Sequence, residues 1–194
     1  GLGALHGNWL AFEADEGRAV RARKLDEVLD VYAGLMGGQP FSYTGEYFSA
    51  SPVTELVPPP PVQTPHPPVW CVGLMVPGRS RQRSLERAAR WQGVFPAIAG
   101  GSLENPGSQL TPPALRELVE RLGALRAEAG QTMQGYDVVV EGDSHGEFGT
   151  VHPPVEQWAD AGATWWVESW WDLPDSPEGR AELRRRLELG PPRT

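Results

Sequence analysis

With 194 residues, 40% of them hydrophobic and 22% charged, the chain has the composition of a folded domain with one sizeable core. Its 17 basic and 25 acidic residues leave a net charge of −8, which argues against a general nucleic-acid or anionic-membrane surface, since both need a positive footprint. The single Cys71 excludes an internal disulfide framework and a cysteine-based zinc site and suits a cytoplasmic protein, and no apolar run approaches the length of a membrane span.

Gly1-Leu-Gly-Ala-Leu5 reads as a strand entered without the usual polar lead-in, so further sequence is expected upstream. The spacing of Leu25, Val28, Leu29, Tyr32 and Met36 predicts a helix over 18–36, with Gly37-Gly38 as its stop. Tyr43-Thr-Gly-Glu-Tyr-Phe48 predicts a short hairpin or a turn with aromatic anchors. Residues 58–70 hold seven prolines in thirteen positions. Such backbone is stiff and extended and needs few internal hydrogen bonds, so the run is read as the lead into a strand rather than a linker or a partner's ligand.

Beyond the prolines the chain becomes regular. Apolar bursts at 69–73, 93–99, 136–141 and 163–168 predict strands. Helical stretches at 81–91 (Leu85, Ala88 and Ala89 inward), 111–130, 153–162 (Val155, Trp158 and Ala159 presented) and from Ser176-Pro177 to Gly190-Pro191 follow them. Thr111-Pro112 is a cap-then-proline start, and Leu115, Leu118, Val119, Leu122 and Leu125 form its stripe. In the last helix Leu183 and Leu187 are expected inward, and Arg184-Arg185-Arg186 is read as a solvated face.

Strand and helix thus alternate four times, and the strands are continuously apolar, as expected when helices cover both faces of a parallel sheet. Counting 1–5, there are five βα units. A closed (β/α)8 barrel needs eight strands and about 250 residues, so five units suggest the C-terminal part of one. An open doubly wound sheet is the alternative, although no Gly-x-Gly-x-x-Gly follows any strand.

The pieces Arg21-Ala-Arg-Lys-Leu-Asp-Glu-Val-Leu-Asp30, Gly38-Gln-Pro-Phe-Ser-Tyr-Thr-Gly-Glu46, Pro61-Val-Gln63 and Pro67-Pro-Val-Trp-Cys-Val-Gly73 resemble those of the bacterial-luciferase-like flavin-dependent monooxygenases and oxidoreductases. Arg87-Ala-Ala-Arg-Trp-Gln-Gly-Val-Phe-Pro96, Tyr136-Asp-Val-Val-Val140, Ala161-Gly-Ala-Thr-Trp-Trp-Val-Glu168 and Gly190-Pro-Pro-Arg193 continue the match in order. The resemblance implies a single domain over 1–194, an α/β fold of the (β/α)8 TIM-barrel type truncated to about its fourth to eighth strands with their helices. It also implies FMN or the deazaflavin F420 at the C-terminal strand ends, and a small organic substrate oxidised with reduced flavin and O2 or by hydride transfer. A homodimer and a flavin reductase are admitted as partners; nucleic acid and membrane are not. The earlier barrel strands carry much of the family's ring and substrate pocket, so no catalytic residue is assigned.

Two places are candidates for the flavin phosphate. His6-Gly7 matches the family's basic residue before glycine at the end of the fourth barrel strand. Gly73, Leu74, Gly78, Arg79 and Ser80 form the turn after the next strand, where backbone N–H groups, a helix dipole and an arginine fork can meet an anion. Ser80 could cap the helix or bond the phosphate. The family has two glycines where this chain has Gly73-Leu74, and Trp-Asp-Gly where it has Trp91-Gln92-Gly93. These departures keep open a second reading, a non-catalytic relative that binds small molecules or serves structurally.

Glu141, Asp143, His145, Glu147 and His152 are residue types that suit a metal, but their spacing fits no tight ligand motif, and a solvated loop is the expectation. Cys71 is expected in the core. Trp165 and Trp166 must point to opposite faces, one of them under a helix, while Trp170 or Trp171 could wall a pocket.

Overall fold

The structure is a computed structural model and describes residues 14–54, 59–100, 110–144, 153–170 and 173–191. Packing divides them into two compact units, with the break between Val69 and Trp70. The expected strand at 1–5 lies outside the described residues.

In the first unit, helix α1 (Arg18–Met36) precedes an antiparallel hairpin of β1 (Tyr43–Thr44) and β2 (Ser49–Ala50). Glu27 on α1 fixes the hairpin's turn, its carboxylate accepting from the backbone N–H groups of Glu46 (2.7 Å), Tyr47 (3.0 Å) and Phe48 (2.9 Å). Desolvation pushes this carboxyl's pKa up, but the three N–H donors together hold it below the usual glutamate value. The expected α1 stripe is only partly inward: Leu29 is buried, whereas Val28 is exposed. The proline run is anchored by His66, which is buried, meets the Tyr32 ring edge-on and hydrogen-bonds the Pro67 carbonyl at 2.8 Å.

The second unit is the alternating one. Strands β3 (Trp70–Met75), β4 (Gly93–Ile98), β5 (Asp137–Gly142) and β6 (Trp165–Glu168) lie side by side in that order, every pair parallel. Between and after them come α2 (Arg83–Arg90), α3 (Pro112–Glu128), α4 (Val155–Asp160) and α5 (Pro177–Leu189). Local chemistry sets these limits. Thr111 Oγ1 accepts from Ala114 N, with Pro112 at the first helical position, and Ser176 Oγ accepts from Gly179 N ahead of Pro177 in the same way. After α3, Gly130 takes a left-handed φ of +72°, the conformation that ends helices at glycine. No helix of the described residues is long and apolar enough to cross a membrane.

The register assigns the faces. Cys71, Gly73 and Met75 align with Val94, Pro96 and Ile98, and Val94 in turn with Val138. This is the helix side. Leu85 and Ala88 of α2 approach Gly73 there, and Leu115, Leu118 and Leu122 of α3 and Trp158 of α4 are fully buried. Each such side chain contributes about 1.5–3 kcal/mol on leaving water. Cys71 is in this core, and Trp166 packs against Trp158, with ring centroids 6.3 Å apart.

The other face is the more exposed one, although Val139 on it is fully buried. Trp70 (40% exposed), Val72 (50%), Trp165 (51%) and Val167 (36%) line it. This corrects the expectation that helices cover both faces. An apolar run shows that a strand is covered on one side; it does not say what lies on the other, where β5 carries Asp137 and Glu141. The last helix needs a second correction. Its ends are as expected, but Leu183 and Leu187 are exposed and Arg186 is the buried side chain, 5% accessible.

Candidate functional site

The loop from β3 to α2 leaves the C-terminal end of a strand, where parallel α/β sheets present their ligands. Val76-Pro77-Gly78-Arg79 is a tight turn closed by Arg79 N donating to Val76 O at 3.2 Å, with Pro77 at the second position and Gly78 at the third. Gly78 has φ +76°, the value a type II turn demands of its third residue, and a Cβ there would meet nothing within 4 Å. Gly78, Arg79 and Ser80 are all exposed.

Gln82 stands at the N-cap of α2, yet its side chain makes no capping bond and turns back into the loop. Its amide accepts from Val76 N (3.0 Å) and donates to Val76 O (2.7 Å) and Arg79 O (2.9 Å). Arg121 Nη2 on α3 reaches the carbonyls of Arg79 (3.2 Å) and Ser80. The start of α2 therefore carries no side-chain cap, and exposed Arg79, Arg81 and Arg83 surround it. Arg81 also lies 3.4 Å from Glu86 in the first turn. The positive helix end and the cations together favour an anion.

The five candidates of this turn separate. Gly78, Arg79 and Ser80 come together at the loop. Gly73 lies under α2, where a Cβ would meet Val94 Cγ2 at 2.5 Å and Leu85 Cδ2 at 2.8 Å, so its missing side chain serves packing. Leu74 is on the opposite, more exposed face, and its N–H and C=O both bond Ser84 Oγ (3.1 and 2.9 Å). Ser80 precedes the N-cap by two residues and does not cap the helix. His6 and Gly7 lie outside the described residues.

A second polar cluster sits at the C-terminal ends of β5 and β6. The Glu168 carboxylate accepts from Ser144 N (2.9 Å), Ser144 Oγ (3.0 Å), Trp166 Nε1 (2.9 Å) and Trp170 Nε1 (3.2 Å), and lies 3.5 Å from Arg186. Burial pushes its pKa up, but the tryptophan and serine donors and the guanidinium outweigh that and hold it below the usual glutamate value. Arg186 also donates to Ser144 Oγ and to the Gly190 carbonyl, both at 2.9 Å. Sequence reasoning missed this group, because nothing in Arg184-Arg185-Arg186 marks which arginine turns inward. Trp170 is thus tied to Glu168; Trp171 lies outside the described residues.

Of the acidic and histidine loop, Glu141 belongs to β5 and Asp143 is buried, which corrects the solvated reading for that aspartate. His145, Glu147 and His152 lie outside the described residues, and among the described residues no group of side chains is arranged to hold a metal. At the opposite ends of the strands, Asp137 accepts from the indole N–H groups of Trp70 and Trp165, both at 2.9 Å, across Gly93. An open groove of about 320 Å³ runs between α2 and α3 from Glu86 to Glu128 and Gln131 and includes none of the candidate residues of the loop. No family model matches the chain.

Proposed function

We propose that the chain is the C-terminal part of a (β/α)8 barrel of the luciferase-like flavin-dependent oxidoreductases, and that its β3–α2 loop holds the phosphate of FMN or F420. The observation that carries this reading is the loop: an exposed, glycine-bearing turn at a strand's C-terminal end, running into an uncapped helix start among Arg79, Arg81 and Arg83. A phosphate dianion fits that donor set, since guanidinium forks and helix N-termini are its common partners. Four parallel strands in sequential order, with helices on one side of the sheet, further support an arc of a singly wound barrel.

In this reading Arg79 and the first N–H groups of α2 bind the phosphate, and Leu74 gives the flavin an apolar wall on the more exposed face. Reduced flavin, when bound, supplies the hydride or the reaction with O2 that oxidises a small organic substrate. Leu74 also favours a second reading, a binding protein without catalysis, because it replaces the glycine the family has there.

Fluorescence titration of the purified chain with FMN and F420 tests the proposal. Saturable quenching that weakens in Arg79→Ala is expected, and oxidation of a small organic substrate by pre-reduced flavin and O2, above the rate without protein, separates the enzyme from the binding protein. No binding of either flavin at any concentration sinks both readings of the loop.

A further inference from the structure

We infer that Gln82 and Arg121 are positioning residues, which lock the β3–α2 loop in a single conformation before any ligand arrives. The inference deepens the phosphate reading of that loop and, for its effect on affinity, rests on it.

The loop is too short and polar to hold itself. Its own backbone contributes one turn-closing bond, Arg79 N to Val76 O, and the carbonyls of Arg79 and Ser80 are met by side chains. The two helices behind it supply the missing donors. Gln82 is 4% exposed, so the three hydrogen bonds of its amide form out of water, where leaving one unmade is costly. Arg121 on α3 adds its Nη2, which donates to both the Arg79 and the Ser80 carbonyls. With those carbonyls held from behind, Gly78, Arg79 and Ser80 remain exposed. A residue at an N-cap normally spends its side chain on its own helix. Gln82 spends it on the loop, and the start of α2 stays open.

A ligand meeting such a loop loses no affinity to ordering it. The brace is therefore separable from the binding groups themselves: Gln82 and Arg121 act through backbone carbonyls, whereas Arg79 acts directly.

The loop carries its own reporters, since trypsin cuts after arginine and Arg79 and Arg81 lie within it. Limited trypsinolysis read by mass spectrometry is expected to cut the native chain slowly after both. In Gln82→Met, which keeps the side chain's length without its hydrogen bonds, cleavage there should rise at least tenfold, while cleavage after Arg116 inside α3 stays unchanged. Arg121→Ala, at a less buried position, should act in the same direction, and Arg121→Lys, which keeps a donor, should restore slow cleavage. The FMN dissociation constant of Gln82→Met should rise at least fivefold. Unchanged cleavage at Arg79 and Arg81 in both Gln82→Met and Arg121→Ala overturns the inference, as does faster cleavage with unchanged FMN affinity. If the native chain binds no FMN while the cleavage pattern behaves as expected, the phosphate reading fails and the brace stands.

Discussion

Gly73 shows how a single residue's meaning depends on the face it occupies. By position it belongs to a cofactor turn, but the register puts it beneath α2, against Leu85 and Val94. Gly73→Ala is expected to destabilise the chain by about 1–3 kcal/mol through overpacking, measured by urea unfolding, with flavin affinity of the folded protein unchanged. Glu168 is the converse, a residue whose weight the sequence hides. Its pKa is depressed in the fold, so its contribution is complete above the ordinary value of 4.5 and is lost as pH falls through the lower, folded value. The stability difference between the native chain and Glu168→Gln should therefore shrink as the pH is lowered from 7 toward acid unfolding. A difference that stays constant over that range would show that the charge is not what matters.

At the scale of elements, α3 and α5 behave differently although their boundaries were equally readable. Caps, prolines and terminal glycines act within one turn, so Thr111-Pro112, Gly130, Ser176-Pro177 and Gly190 located both helices from the sequence. The leucine stripe of α3 faces the sheet because apolar contact docks it. In α5 the buried contact is the Arg186 guanidinium with Glu168 and Ser144, and Leu183, Leu187 and Leu189 remain exposed. Leu118→Ala should cost about 2–5 kcal/mol and Leu187→Ser under about 0.5 kcal/mol by the same unfolding assay. Amide hydrogen exchange should find α5 opening at lower free energy than α3, because few buried apolar contacts hold it. Equal protection of the two helices would contradict this account. Among the described residues β3 is a terminal strand, and Ser84 and Gln82 bond the backbone of Leu74 and of Val76 just beyond it, groups that an edge would otherwise present to other chains.

Across the second unit, the governing feature is a four-stranded parallel sheet with helices on one side and Trp70, Val72, Trp165 and Val167 on the other. On the barrel reading this face is the interior wall, and a flavin there would rest on half a pocket. The 194-residue chain is accordingly expected to bind FMN saturably but to lose it during gel filtration, followed by absorbance near the flavin maximum. Co-elution of stoichiometric FMN with a monomer would count against an arc of a barrel as the binding unit.

The sequence by itself determined the alternation of strand and helix in residues 70–189, the helix limits, the burial of Cys71 and the opposition of Trp165 and Trp166. Those properties follow from hydrophobic period and from capping chemistry, which act between residues a few positions apart. Only the tertiary structure decided that one sheet face is the more exposed, that Gly73 serves packing while Gly78 serves a turn, that Arg186 is the inward arginine, and that Gln82 braces a loop instead of capping its helix. The exposed face, the packing at Gly73 and the choice of Arg186 depend on which distant strand or helix lies opposite, and that leaves no mark on the local pattern of either partner; the Gly78 turn and the Gln82 bonds span six residues or fewer, but hydrophobic period does not encode them.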